Sequence, residues 1–413
     1  MKAPAGISGV TIAAVASMLA LLAMPSAAAA QADQGAPFQI KTSGFANAAG
    51  AVAERGAGIS GEAEIETTPQ FRTASGTVLA VRAVGNVNGS ASGPQSRWNL
   101  SVPEASVFAI GSFGRIEVGA RAGFPQSLVG FTPSEIAFAS PAFGPESGAR
   151  LDPDGRLPTR FLPAGIASRI DALTYLGYAA RFYDDRSFKF TYLTPRSKGG
   201  FYAAFSFTPK TSQPRGFGLA GSSRATRPVL EPSGRPSSRR NLVQGALVWT
   251  HRTETIDLSV GATYSHAGTA GPLEGSTSSL SGGATLTVRD TWTLGISATR
   301  DDFLKAAQGP FRQAPFGVVV STDLVRGRWI LGGYYQHATA DARTTLPQRD
   351  AVDIGEVGVS YLLDADHDLL GERYHTEAKL FASLYHYALR SEGYLPTQSR
   401  GQAFVAGARF SFY

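Results

Sequence analysis

The side chains that could do chemistry in this chain fall into three groups, and two of them fail on spacing. Six histidines are scattered; His251, His266, His337 and His386 are the candidates for a general base, and none has a nucleophile at a fixed interval. No Gly-x-Ser-x-Gly elbow, Gly-Lys-Ser/Thr phosphate loop or His-Glu-x-x-His helix occurs. Asp364-Ala-Asp366-His-Asp368 has the opening spacing of a calcium loop, but its sixth position is Leu369 and its twelfth is His375. Such a loop turns on glycine and chelates through glutamate there, so the segment reads as a solvated turn. The third group is a set of charges: Arg82, Arg115 and Arg121 in stretches of alternating residues, and Glu135, Glu146, Asp152 and Asp154 in the proline-rich stretch that follows. Charges of this kind break no bond. They attract, orient and sort ions and polar solutes.

Apart from Arg82, which lies in an earlier alternating segment, these charges belong to two contrasting stretches. Ala105, Val107 and Ala109 alternate with Ser106, Phe108 and Ile110; after Ser112-Phe113-Gly114, Ile116, Val118 and Ala120 alternate with Arg115, Glu117, Gly119 and Arg121. A period of two with charge confined to one face is the signature of strands. In a soluble sheet the apolar face would be core; in a membrane barrel it would face lipid while the charged face lines the lumen. From Ala122 to Pro163 the alternation stops, and the segment holds seven prolines together with Phe124, Phe131, Phe138, Phe143 and Phe161. So long a connection is either functional or disordered, and the phenylalanines argue for packing.

On these residues the chain resembles the general porin family of Gram-negative outer membranes. Glu104 to Gly119 is similar to the family's fourth and fifth strands, Phe38 to Gly50 to its first, and Phe190 to Arg196 with Phe201 to Pro209 to a hairpin of alphaproteobacterial members. The resemblance implies a loop folded into the barrel as a constriction, here about residues 122–165. It places Glu135, Glu146, Asp152 and Asp154 on that loop and Arg82, Arg115 and Arg121 on the wall of the constriction. It also implies a homotrimer. The acid of the Pro-Glu-Phe-Gly-Gly motif found in some constriction loops is missing from Pro141-Ala142-Phe143-Gly144-Pro145, so its selectivity role does not carry over.

Composition narrows the alternatives. Lys2, the apolar run from Val10 to Met24, Pro25 and the alanines ending at Ala30 read as a secretory signal peptide over residues 1–30, cleaved after Ala30 or Ala32. Cysteine is absent, which excludes disulfides, thiolate catalysis and thiolate metal sites. The net charge of +6 is mild, and the basic residues are not interleaved with aromatics as a nucleic-acid groove requires. No nucleic-acid partner, cofactor or metal is expected.

Short alternating segments fill residues 31–413 and number 16, separated in turn by short and long connections. The expected fold is therefore all-β: a transmembrane antiparallel up-and-down barrel of about 16 strands, with the in-folded loop after strand five. Rows such as Leu79/Val81, Phe188/Phe190/Tyr192, Trp292/Leu294/Ile296 and Val357/Val359/Tyr361 carry no charge and would face lipid. Parity places Glu62, Glu64, Glu66, Glu117, Asp257, Asp323 and Glu356 in the lumen against Arg82, Arg115, Arg121, Lys189, Arg289 and Arg328, a near balance that predicts weak ion selectivity. Small residues on one outer face, Gly282 and Ala284 or Ala406 and Ala408, suit a subunit contact. Residues 209–240 hold seven basic residues against Glu231 alone, a solvated external loop or one that meets lipopolysaccharide phosphates. The expected function is an outer-membrane porin passing small hydrophilic solutes and ions by diffusion. The alternatives are a solute-specific channel and a structural or adhesive barrel with a blocked lumen.

Overall fold

The computed structural model describes residues 37–53, 56–92, 95–121, 187–210, 240–268, 276–302, 314–341, 348–369, 372–393 and 397–412. Sixteen strands occupy them: β1 (Phe38–Ala53), β2 (Gly56–Arg72), β3 (Val78–Ser92), β4 (Gln95–Gly111), β5 (Gly114–Ala120), β6 (Phe188–Leu193), β7 (Phe201–Lys210) and β8 (Arg240–Arg252). The second half comprises β9 (Ile256–Gly268), β10 (Thr277–Val288), β11 (Trp292–Asp301), β12 (Phe316–Arg326), β13 (Trp329–Asp341), β14 (Gln348–Leu369), β15 (Glu372–Gly393) and β16 (Thr397–Phe412). Each strand pairs antiparallel with its sequence neighbours, and β16 returns to β1 through pairs such as Phe412 with Gly44 and Phe404 with Val52. Closure leaves no open edge along the wall, which is what a sheet in a lipid bilayer requires.

The apolar rows point outward, as alternation predicts. Val81, Phe190, Leu247, Ile296, Val320, Leu331, Val357 and Phe404 are all exposed on the outer surface, while Glu117, Lys189, Gln244, Ser297, Asp323 and Glu356 are buried on the inner one. In water such a surface would be untenable; in lipid it is the favoured one. A charge placed in the middle of this belt costs about 2–4 kcal/mol. Ile296→Arg is therefore expected to destabilise the folded barrel by about that amount in urea titrations in lipid vesicles, and a variant as stable as wild type would show that Ile296 does not face lipid.

Turn chemistry sets the two rims. The even-to-odd connections, from β2–β3 to β14–β15, are all short and share one rim with the first and last described residues; the longest connections, β5–β6, β7–β8 and β11–β12, are on the opposite, long-loop rim. At the β4–β5 turn Gly114 has φ of +99°, and a Cβ there would run into the Leu193 carbonyl and Pro195. Only glycine suits that position. At the β10–β11 turn Arg289 and Asp290 both take left-handed φ values, 53° and 49°, so that Thr291 N–H can donate to the Val288 carbonyl at 3.0 Å. That pair of positive φ values makes a two-residue turn whose twist matches the strands it joins.

The structure departs from the sequence expectation at residues 364–368, where no turn forms. β14 runs on to Leu369 and pairs with β15 as far as Glu372, with Asp366 opposite His375. The reason is visible in the pattern: Leu363, Ala365, His367 and Leu369 alternate with the three aspartates, a period of two that propagates a strand. Beyond Tyr361 the β13 pairing has ended, and before Thr376 β15 has no partner in β16. The last part of this hairpin therefore projects from the short-turn rim as a two-stranded ribbon.

Candidate functional site

On the inner face of β2 to β6 the charges form a fixed network. Glu66, Val84 and Glu104 share one row across β2, β3 and β4. Arg82, one same-face step nearer the short-turn rim on β3, reaches diagonally to both acids: Nη2 donates to Glu66 Oε2 and Nη1 to Glu104 Oε2, each at 2.7 Å. A guanidinium presents donors in a planar fork, so it can hold two carboxylates where an ammonium would hold one.

A second centre lies on Glu117 of β5. Its Oε1 accepts from the Ser106 hydroxyl at 2.5 Å, and its Oε2 accepts from Arg115 Nε at 3.0 Å and from Arg121 Nη1. Arg115 is braced from below, its guanidinium lying 3.9 Å from the Phe108 ring centroid. Lys189 on β6 donates to the Arg121 carbonyl at 2.6 Å. β5 and β6 are the shortest strands, so Arg121 and Lys189 stand where the wall steps down and residues 122–186 leave and rejoin it.

The three wall arginines are thus brought together in one sector, and wall acids partner all of them. Glu135, Glu146, Asp152 and Asp154 lie outside the described residues. Within the described wall, acids also stand across the ring from the arginines. Eight strands round the ring, β11 to β14 carry inward Asp301, Asp323, Asp350 and Glu356, and no inward base lies on β10 to β14 among the described residues. β12 stands opposite β4 in a ring of 16, so the arginine sector faces an acidic one.

Parity placed Glu66, Glu117, Asp257, Asp323 and Glu356, with Arg82, Arg115 and Lys189, on the inner face, where they are found. It missed inward Glu104, Asp301, Asp350, Glu377, Lys41, Lys379 and Arg409. Glu104 adjoins the register shift between Val84 and Asn86, where alternation skips a step. Around Lys379 the inner row also holds Phe381, Tyr385 and Tyr387, so both faces of β15 read as apolar. Among the described residues no three histidine, aspartate or glutamate side chains converge as metal ligands.

Residues 13–379 match the sequence model of the family described as Gram-negative porin. The chain belongs to this family. It is accordingly an outer-membrane channel for passive diffusion, located in the bacterial outer membrane. No curated protein sequence matches it. Among solved structures it is similar to OmpT of Vibrio cholerae, an outer membrane protein, folded in vitro: TM-score 0.54 and 11% identity, covering 92% of this chain and 100% of that one. The loop L8 deletion mutant of the same protein gives 0.54 and 10%, covering 91% and 100%. A mutant of the Rh. blastica porin gives 0.43 and 14%, covering 90% and 100%. At these identities the likeness to OmpT is one of fold alone.

Proposed function

We propose that this porin narrows its lumen between the arginine sector of β3 to β6 and residues of about 122–165 folded inward, and that charge there sorts small hydrophilic solutes without a specific binding step. The observation that carries this reading is an apolar inner wall. Leu242, Val248, Val319, Val352, Leu389 and Val405 point into the lumen, yet each is at most 1% exposed. Apolar side chains facing a wide column of water would stay wet and unfavourable. The chain between β5 and β6, rich in phenylalanine and proline, is long enough to cover them and leaves the wall opposite. Glu135, Glu146, Asp152 and Asp154 would then lie in the narrow part. The channel does no covalent chemistry in this reading and needs no cofactor. Single-channel recording in a planar bilayer tests it: discrete ohmic steps in KCl are expected. Saturable block by one nutrient would favour a solute-specific channel, and silence a structural or adhesive barrel.

The protein is also proposed to be a homotrimer that contacts its neighbours through β16, β1, β2 and β3. Register makes Ala406 and Ala408 continuous with Gly50 and Ala48, and Ala46 with Ala63, a smooth strip on the outer wall. Gly282 and Ala284, the other candidates, are interrupted: Ala284 pairs with Val260 on one side and Ile296 on the other. Small residues let backbones approach closely across lipid. Ala406→Trp is expected to convert trimers to monomers by mass measurement in detergent, and a wild type already monomeric would refute the assembly. Outside the strip, outer-membrane lipid and lipopolysaccharide are the partners of the belt and of the basic residues 209–240.

A further inference from the structure

The acidic sector contains a recess. Asp323 on β12, Gly332 on β13, Gly358 on β14 and Ser383 on β15 lie in one row across four strands. The two central positions carry no side chain, on strands about 5 Å apart. The glycine at 358 is required, because an added Cβ would sit 2.8 Å from Ser383 Cβ and 2.9 Å from the Ala382 carbonyl oxygen. Toward the long-loop rim the next row brings Tyr334, Glu356 and Tyr385 side by side. The two tyrosine rings flank the carboxylate with centroids 6.5 Å apart at 73°. Ser360 closes the recess on the other side, two same-face steps from Glu356 along β14.

Glu356, Ser360 and Ser383 hold acceptors that no described residue fills. Glu356 is 3% exposed, and neither of its oxygens makes a hydrogen bond to a described residue. The Ser383 and Tyr385 hydroxyls and the Asp323 carboxylate are the groups that act on it, but none reaches hydrogen-bonding geometry. The hydroxyls of Ser360 and Ser383, 1% and 3% exposed, make none either. A buried carboxylate without a cationic partner is among the costliest arrangements a fold can hold, and the inward base on these strands, Lys379 of β15, stands three same-face steps along its strand from Tyr385, the neighbour of Glu356.

We infer that the recess binds the primary ammonium group of a solute in the lumen. An alkylammonium carries three N–H donors, which match the carboxylate and hydroxyl acceptors, and its charge is attracted to the faces of flanking tyrosines. One buried carboxylate with two serine hydroxyls suits one positive charge better than a divalent metal, which draws on more oxygens than these groups offer. The inference rests on the reading of the interior as a solute channel.

Calorimetric titration of the full-length protein in detergent with n-butylammonium chloride tests it. Saturable binding is expected, at least tenfold weaker in Glu356→Gln and measurably weaker in Tyr385→Phe. Tetramethylammonium, which has no N–H, is expected to bind at least tenfold more weakly than n-butylammonium. Binding unchanged in Glu356→Gln, no saturable heat, or equal displacement by sodium would each overturn the assignment. In planar bilayers n-butylammonium should reduce the wild-type KCl current by a larger fraction than the Glu356→Gln current. A barrel that never conducts would overturn the channel reading while calorimetry still decides the recess; a conducting barrel without saturable heat overturns the recess alone.

Discussion

Removing Ser134–Arg150 is expected to raise single-channel conductance in KCl by about twofold, because pore diameter at the narrowest point governs passage, while the barrel still assembles. Assembly is expected to survive because the deletion touches no strand: β5 ends at Ala120 and β6 begins at Phe188. The pairs Val118 with Phe190 and Ala120 with Phe188 remain available to join the two strands. The inner wall argues for the size of the effect. Val319, Val352 and Leu389 stand on the side opposite the β5–β6 gap and are shielded from water. A segment that covers them must cross the lumen and subtract from its open area. Retained heat-modifiable gel migration would show that the variant is folded. Unchanged conductance in that folded variant would place the segment outside the pore.

The barrel was legible because lipid imposes a strict rule on one face. Val81, Phe190, Ile296 and Val357 must be apolar to meet the bilayer, and the period of two follows from that alone. Strand ends were less legible. β14 continues to Leu369 and β15 to Gly393, beyond the belt, where neither face is under that rule. The candidate site was legible as positions and illegible as partnerships. Alternation shows that Arg82, Arg115 and Arg121 face inward, but whether an inward arginine stands free depends on the register between strands. Glu66 and Glu104 become neighbours of Arg82 only once β2, β3 and β4 are aligned around the shift at Val84 and Asn86. The opposing acids have the same character: Asp301, Asp323, Asp350 and Glu356 are spread over about 55 residues of sequence and meet only through closure of the ring.

Register also decides which single substitution should matter most in the arginine sector. Arg82→Ala leaves Glu66 and Glu104 facing the lumen without the cation that both contact at 2.7 Å. Breaking a buried pair by removing one partner costs about 3–5 kcal/mol, but the side chains here are 15%, 32% and 8% exposed, so about 2–3 kcal/mol is expected. Urea titration in lipid vesicles would read that loss. Selectivity should move as well. Acids and bases on the inner strands nearly cancel, so the wild-type reversal potential under a KCl gradient is expected near zero. Removing one arginine leaves an uncompensated pair of carboxylates on a wall that already faces acids, so the potential of Arg82→Ala should shift toward the value for cations. Arg82→Lys separates charge from geometry. An ammonium keeps the charge but cannot fork between two carboxylates, so the lysine variant should lose part of the stability and keep the reversal potential near zero. If Arg82→Ala matches wild type in both measurements, the two glutamates do not depend on Arg82, and the network is not what holds this wall in place.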